Sequence, residues 1–170
     1  MTEFIPKLVC FSCKFGWGYL NSNGYDKQIK NLIPVICSGK LDATHVVGAF
    51  DEGADGVLIL GCPDGQCHFK TGNYQARKRV LLLHNILKEF GVEPRRLKIA
   101  LDIDPEGSRI PIIIEEMKTE VGGLGPLSQK VYSDIGHVDA SASEGKTSEK
   151  RHSMGLRSRL EKMIWPTNPK

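Results

Sequence analysis

The sequence lacks any apolar run close to the roughly 20 residues that a helix needs to cross a bilayer, which excludes a membrane-spanning protein. Residues 1–4 also lack the basic and apolar regions that begin a signal peptide, so we expect a cytoplasmic protein. Of the 170 residues, 40% are apolar and 25% are charged, a composition typical of one folded domain of ordinary size.

A basic stripe is missing as well. Residues 1–123 contain 15 Lys or Arg and 15 Asp or Glu, whereas residues 124–170 contain 8 and 5. The net charge of +3 therefore belongs to the C-terminal segment, and the neutral body does not favour binding to nucleic acid.

Cysteine is the informative residue type that the sequence does contain. The five cysteines all fall within the first 67 residues: Cys10, Cys13, Cys37, Cys62 and Cys67. An odd number of cysteines without a signal peptide does not favour a disulfide framework. The count therefore predicts metal binding or thiol redox chemistry.

The chain alternates between strand and helix patterns. Apolar runs predict strands at residues 7–12, 32–36, 56–60 and 97–101, with Pro34 better suited to an edge strand than to a central one. Amphipathic stretches predict helices at residues 43–52, 73–90 and 106–121, with residues 25–30 as the end of a poorly marked helix. This order predicts an α/β fold, a small flavodoxin-like three-layer sandwich with a parallel sheet of about four strands.

The pattern changes at Gly122. Residues 128–150 are rich in Ser, Gly and mixed charge, so they do not bury enough apolar surface to fold by themselves. Residues 151–165 fit a short basic helix with a few apolar side chains: Met154, Leu160, Met163, Ile164 and Trp165. We therefore predict an α/β domain at residues 1–123 and a mobile or partner-docking tail at residues 124–170.

The cysteines follow the predicted strands. Cys10 and Cys13 lie at the end of the first strand and in the loop after it, Cys37 follows the second strand, and Cys62 and Cys67 follow the third. The carboxyl ends of parallel strands share one edge of a sheet, where open α/β sheets bind their ligands. We therefore expect the five cysteines to gather in one site.

Three kinds of thiol chemistry fit such a site. Zinc takes four ligands, usually from two C-x-x-C pairs, and only Cys10 and Cys13 form such a pair. A thioredoxin-like pair uses the same two cysteines and leaves three unexplained. A [2Fe–2S] cluster takes four thiolates and tolerates irregular spacing. Structural burial explains Cys10 but not Cys62 and Cys67, which flank a surface turn.

The residues around the cysteines support a buried redox or metal site. Four aromatic residues are expected to shield it from water: Phe15, Trp17, Tyr19 and Phe69. His68 fits either a ligand or a solvated loop residue. The helix that follows Cys67 points its first N–H groups at the site, and Arg77, Lys78 and Arg79 form either a solvated face or a surface for an acidic partner.

Several motifs together resemble the delta subunit of methyl-viologen-reducing hydrogenase over about residues 5–127. They are Cys10-x-x-Cys13, Cys37-Ser38-Gly39, Gly53-Ala54-Asp55-Gly56-Val57, Gly61-Cys62-x4-Cys67-His68 and Gly72-Asn73-Tyr74-x-Ala76-Arg77-x-Arg79. The sequence departs from the family at Pro63, where relatives often have His, and at residues 14–19. This family occurs with heterodisulfide reductases and formate dehydrogenases of anaerobes.

The resemblance implies a [2Fe–2S] protein that passes electrons between a dehydrogenase or hydrogenase and the flavin-containing subunit of a heterodisulfide-reductase-like complex. It implies that the ligands come from the five cysteines, with Cys10 as the suspected spare. No Ser/His/Asp set, phosphate loop or acid pair accompanies the cysteines, so we expect electron transfer without substrate chemistry in this subunit. The alternatives are a thiol-redox or zinc-binding regulatory module and a scaffold that binds through its tail.

Overall fold

The computed structural model describes residues 4–20 and 31–127, which form a four-stranded parallel sheet with helices on both faces. The strands are β1 (Leu8–Cys13), β2 (Leu32–Val35), β3 (Gly56–Leu60) and β4 (Leu97–Ala100). The helices are the short α1 (Trp17–Leu20), α2 (Ala43–Asp51), α3 (Gly72–Glu89) and α4 (Arg109–Leu124). The predicted α/β class and the parallel sheet are confirmed.

The strand order is β2-β1-β3-β4, the beginning of the flavodoxin-like order. β2 is an edge strand, as Pro34 predicted, since proline cannot donate a ladder hydrogen bond. The central strand β3 is buried at all five positions, which explains its uninterrupted apolar sequence.

Alternating side chains divide the interior into two cores. The α2/α3-side core contains Val9, Phe11, Val57 and Ile59 from the strands, and it is completed by Val46, Phe50, Val80, Leu83 and Leu87. The α4-side core contains Leu8, Cys10, Leu58 and Leu60, and it is completed by Ile110, Ile114, Met117 and Val121. These two cores on opposite faces of one sheet form the predicted three layers.

The helix boundaries differ from the predictions mainly at α4. Asp42 caps α2 as expected, with its carboxylate accepting from the N–H groups of Thr44 and His45. Helix α4 starts at Arg109 instead of 106, because the Asp104 carboxylate accepts from the N–H groups of Ser108 and Arg109. It then continues through Gly122 and Gly123 to Leu124, where a stop near residue 121 was expected.

Some predictions fall on other parts of the chain. The poorly marked helix at residues 25–30 and the tail elements at residues 128–150 and 151–165 lie outside the described residues. Within the described residues, no helix is long and apolar enough to cross a membrane.

Candidate functional site

The site lies at the carboxyl edge of the sheet. It is beside β1, where β2 is added on one side and β3 on the other. β1 lies between β2 and β3, so the loops after β1 and β3 leave the sheet on neighbouring strands. Open α/β sheets form a crevice at this switch point. Cys13 ends β1, and Cys62 comes two residues after β3.

Cys13 and Cys62 form the first thiol pair. Their sulfur atoms lie 3.7 Å apart, and the Cys13 thiol also donates a hydrogen bond to the Ile36 carbonyl at 3.6 Å. Burial raises the pKa of Cys62 to about 12, and the charge and hydrogen bond of Cys13 add to this rise. Two thiolates on one tetrahedral metal with bonds of about 2.3 Å lie about 3.8 Å apart, so the observed spacing suits a shared metal.

Cys37 and Cys67 form the second pair, since both sulfur atoms lie beside Gly72 and each thiol shifts the pKa of the other. Burial raises the pKa of Cys37, as do the charges of Cys67 and Cys13. Burial also acts to raise the pKa of Cys67, but backbone N–H groups of Asn73, Phe69 and Gly72 and the Cys37 thiol outweigh it and lower that pKa. Cys67 is therefore the thiol whose surroundings favour the thiolate.

Two glycines create the space for the second pair. A Cβ atom at Gly72 would lie 2.3 Å from the Cys37 sulfur and 3.2 Å from the Cys67 sulfur. A Cβ atom at Gly39 would lie 2.6 Å from the Cα of Gly72, so the two backbones touch. Only glycine allows the Cys37 loop and the start of α3 to approach this closely.

Two side chains that the sequence analysis did not assign to the site hold its loops. Asn73 is fully buried, and its amide donates to the carbonyls of Cys62 (3.3 Å) and Pro63 (3.0 Å). Arg79 donates to the carbonyls of Gly39 (3.1 Å) and Leu41, on either side of Lys40 in the Cys37 loop. Both residues belong to the motif at residues 72–79. The motif drew attention to these positions in the sequence but did not indicate which carbonyls they bind.

Cys10 is separated from the other four cysteines. It is fully buried in the α4-side core, and burial raises its pKa. Residues 10 and 13 are three apart in a strand, so their side chains point to opposite faces. The structure therefore brings Cys13, Cys37, Cys62 and Cys67 together and places Cys10 in the core.

The arginines expected on a docking face take other roles. Arg79 is half-buried against the Cys37 loop, and Arg77 forms an ion pair with Asp64 at 3.1 Å. Lys78 is exposed. The interpretation of all three as one solvated or docking face was therefore wrong for Arg79. Its guanidinium donates hydrogen bonds to the carbonyls of Gly39 and Leu41 instead.

The expected aromatic shield is only partly closed. Phe15 stacks on His68 with ring centres 4.2 Å apart, and Phe69 meets both rings edge-on. Phe15 and Phe69 are 48% and 47% exposed, whereas Trp17 packs on the α4-side core and Tyr19 is half-buried. We call Phe15, His68 and Phe69 the aromatic cluster; it lies on the solvent side of the loops that carry Cys13 and Cys67.

The donor set consists of two thiol pairs instead of one compact group. Within residues 4–20 and 31–127, no three His, Cys, Asp or Glu side chains are arranged so that they could hold a metal ion. The two pairs nevertheless interact electrostatically. The charge of Cys13 raises the pKa of Cys37, and the charge of Cys67 raises the pKa of Cys62. In strand β1, directly before Cys13, the buried hydroxyl of Ser12 has no hydrogen-bond partner in the described part of the chain.

The fold and the site define a flavodoxin-like α/β protein with paired cysteine thiols at its sheet edge. The chain belongs to the family of the methyl-viologen-reducing hydrogenase delta subunit (FlpD), whose model matches residues 17–125. The matched range includes Cys37, Cys62 and Cys67 but begins after Cys10 and Cys13. The resemblance noted from the motifs is therefore confirmed at the level of the family.

Similar proteins come from archaea. The vhc iron-sulfur subunit of the F420-non-reducing hydrogenase of Methanococcus voltae is 34% identical over 140 residues, which cover 79% of this chain and 95% of that protein. The iron-sulfur subunit of the F420-non-reducing hydrogenase of Archaeoglobus profundus is 35% identical over 132 residues, covering 74% and 95%. A much longer subunit of the CoB-CoM heterodisulfide reductase of Methanosarcina acetivorans is 32% identical over 129 residues, covering 75% of this chain and 16% of that protein.

Proposed function

We propose that this chain is an electron-transfer subunit that holds a [2Fe–2S] cluster on Cys13, Cys37, Cys62 and Cys67. The observation that carries the proposal is the arrangement of four thiols as two pairs, Cys13 with Cys62 and Cys37 with Cys67, of which the second lies against the glycine at position 72. A two-iron cluster takes four thiolates, two for each iron, and two pairs of donors suit this better than a single zinc ion does. Cys10 is the spare cysteine, because it lies in the α4-side core.

The chain prepares the site for a negatively charged group. The cluster, when bound, supplies reversible uptake of one electron. The three N–H groups around the Cys67 sulfur stabilise negative charge on that ligand, and hydrogen bonds to ligand sulfurs are one of the factors that set a cluster's reduction potential. The other three proposed ligands, Cys13, Cys37 and Cys62, are buried, so the protein shields them from water.

The partners we propose are a dehydrogenase or hydrogenase and the flavin-containing subunit of a heterodisulfide-reductase-like complex. Iron-sulfur subunits of hydrogenases match 79% and 74% of this chain over nearly their whole length. The heterodisulfide reductase relative contains a segment similar to this chain within a much longer sequence. A similar segment joined to the rest of that subunit supports contact between this chain and a subunit of that kind. We propose no catalytic residues in this subunit.

The thiol-redox and zinc-binding alternatives are less well supported. A redox pair of Cys10 and Cys13 requires two thiols on one side of β1, and the strand alternation separates them. The zinc alternative requires four donors around one point, and the thiols form pairs instead.

Anaerobic purification followed by analysis of iron, acid-labile sulfide and the EPR spectrum of the reduced protein tests the proposal. We expect iron and labile sulfide in equal amounts and a spectrum of a reduced [2Fe–2S] cluster. Stoichiometric zinc without labile sulfide would contradict the proposal.

A further inference from the structure

An exposed apolar stripe runs along helix α3. Leu82, Ile86 and Phe90 follow one another at intervals of four residues and are 60%, 39% and 41% exposed. Residues four apart on a helix are neighbours, so these side chains form one continuous strip beside the core. A strip of large apolar side chains in water indicates a contact surface. We call these three residues the α3 stripe.

The α3 stripe faces the α2 side of the molecule. Arg79, one turn before Leu82 on the same side of the helix, donates to carbonyls in the loop that precedes α2. His84, on the opposite side, hydrogen-bonds the Leu97 carbonyl of the edge strand β4 at 2.8 Å. The stripe therefore borders α2 and ends, at Phe90, near the amino edge of the sheet.

The described chain ends on the face of the sheet that carries the α3 stripe. Leu127 packs on the α2/α3-side core, and its N–H donates to the Asp55 carboxylate at 3.1 Å. Asp51, at the end of α2, lines the same cavity as Leu127. The residues after Leu127 therefore start at the amino edge, on the layer that carries the α3 stripe.

The sequence beyond Leu127 contains a complementary segment. Residues 151–165 include the apolar residues Met154, Leu160, Met163, Ile164 and Trp165, and four Arg or Lys residues against one Glu. The amino-edge ends of α2 and α3 carry three exposed acidic side chains, Asp51, Glu52 and Glu89, beside one exposed basic side chain, Lys88. The intervening residues 128–150 reach up to about 75 Å when extended, well beyond the roughly 27 Å length of α3.

We propose that residues 151–165 of the same chain bind the α3 stripe, with their apolar side chains on Leu82, Ile86 and Phe90 and their basic side chains near the acids at the amino edge. The excess of acidic side chains at the amino edge, the basic segment and its attachment through Leu127 on the same face of the sheet favour this occupant over a second copy or another protein. The proposal does not depend on the cluster or on the proposed electron transfer.

Tryptophan fluorescence of the full chain tests this binding. The sequence contains two tryptophans, Trp17 and Trp165, so Trp17→Phe leaves Trp165 as the single reporter. Leu82→Ser with Ile86→Ser removes two contacts of the stripe. Leu81→Ser is the matched control, because Leu81 is 59% exposed on the same helix but points about 100° away from Leu82.

We expect blue-shifted Trp165 emission that acrylamide quenches poorly and that does not depend on protein concentration. The double variant should lower the ratio of bound to free segment about tenfold to hundredfold, so that emission shifts to the red, while Leu81→Ser leaves it unchanged. If the Trp17→Phe chain with an unchanged α3 stripe shows the emission of a water-exposed Trp165, the proposal is overturned. A blue shift that disappears on dilution with sedimentation as a dimer would also overturn it, because a second copy would then cover the stripe.

Discussion

Cys10 and Cys67 show how position decides what a cysteine does in this molecule. Cys10 is fully buried with apolar neighbours, and burial raises its pKa. Cys67 is half-buried at the start of a turn whose backbone N–H groups surround its sulfur, which lowers its pKa. The left-handed backbone of Lys70, with φ of 63°, belongs to this turn. Since metals bind thiolates, the surroundings of Cys67 favour the ligand role that we propose for it, and those of Cys10 do not.

Gly72→Ala adds one methyl group at a point of the site that has no room for it. The new methyl group would overlap the Cys37 sulfur and press on the Cys67 sulfur, so one thiol pair must move. We expect purified Gly72→Ala protein to lose most of its bound iron, as measured by iron analysis and the visible spectrum.

Gly48→Ala is the control for that experiment. Gly48 lies inside α2, and a Cβ atom there meets nothing within 4 Å. We expect full iron content and a gain of about 0.5–1 kcal/mol in the free energy of unfolding, because alanine favours the helix. Equal iron loss in both variants would show that the crowding at Gly72 is not the cause.

The sequence was sufficient to predict the edge of the sheet at which the thiols meet, because parallel strands end on one side. The exclusion of Cys10 was only suspected, although the strand alternation between residues 10 and 13 carries that information. The pairing of Cys13 with Cys62 and of Cys37 with Cys67 was not predictable, because it depends on how closely the backbones of Gly39 and Gly72 approach. Nor does any local pattern show that Arg79 bonds carbonyls about 40 residues away.

At the scale of the elements, the start of α4 shows how one side chain sets a helix boundary. Asp104 accepts from the N–H groups of Ser108 at 2.9 Å and Arg109 at 3.0 Å. The Ser108 N–H, and after it the Arg109 N–H, lower the pKa of Asp104 to about 2. The pattern of apolar residues predicted the helix itself but not this capping interaction, so the predicted start was three residues early.

Asp104→Asn is expected to destabilise the chain in a pH-dependent way. The folded state binds a proton at Asp104 only near pH 2, whereas the unfolded carboxyl does so near its ordinary pKa of about 3.9. The stabilisation is therefore present above about pH 4 and is lost as the pH falls towards 2. Urea unfolding of both iron-free proteins at several pH values measures the difference, and a constant difference down to pH 2 would rule out this role of the carboxylate.

At the scale of the whole molecule, the edge opposite the thiols is held by buried polar groups. The Asp55 carboxylate accepts from the N–H groups of Lys7 at 2.8 Å and Leu127 at 3.1 Å. The buried Arg96 donates to the carbonyls of Asp55 at 2.9 Å and Gly125 at 2.8 Å. These bonds fasten the segment after α4 to the sheet at the edge opposite the loops of the site.

Asp55→Asn should lower the free energy of unfolding by about 1–3 kcal/mol without changing the bound iron. Each carboxylate oxygen accepts one backbone N–H, and an amide replaces one acceptor with a donor, leaving a buried N–H unpaired. Chemical denaturation measures the change. Glu106→Gln, at an exposed position before α4, is the control and is expected to stay within about 0.5 kcal/mol of the parent.

We expect the proposed partner to contact this chain at the aromatic cluster. Phe15 and Phe69 are each about half exposed next to the loops of Cys13 and Cys67. We expect Phe15→Ser with Phe69→Ser to weaken docking of the flavin-containing subunit and so to slow electron exchange with it by about tenfold or more, while the EPR spectrum stays the same. Ile112→Ser, at a 56% exposed position on α4, should leave the rate unchanged, and equal rates in all three proteins would place the contact elsewhere.

An anaerobic reductive titration of the parent chain, Cys10→Ala and Cys37→Ser tests the proposed cluster most directly. We predict that the parent and Cys10→Ala each take up one electron per chain with the same EPR signal, because Cys10 lies in the core. Cys37→Ser should lose most of the signal, because it removes one thiolate of a pair. Loss of the signal in Cys10→Ala protein that folds normally, or full uptake by Cys37→Ser, would contradict the assignment of the four ligands.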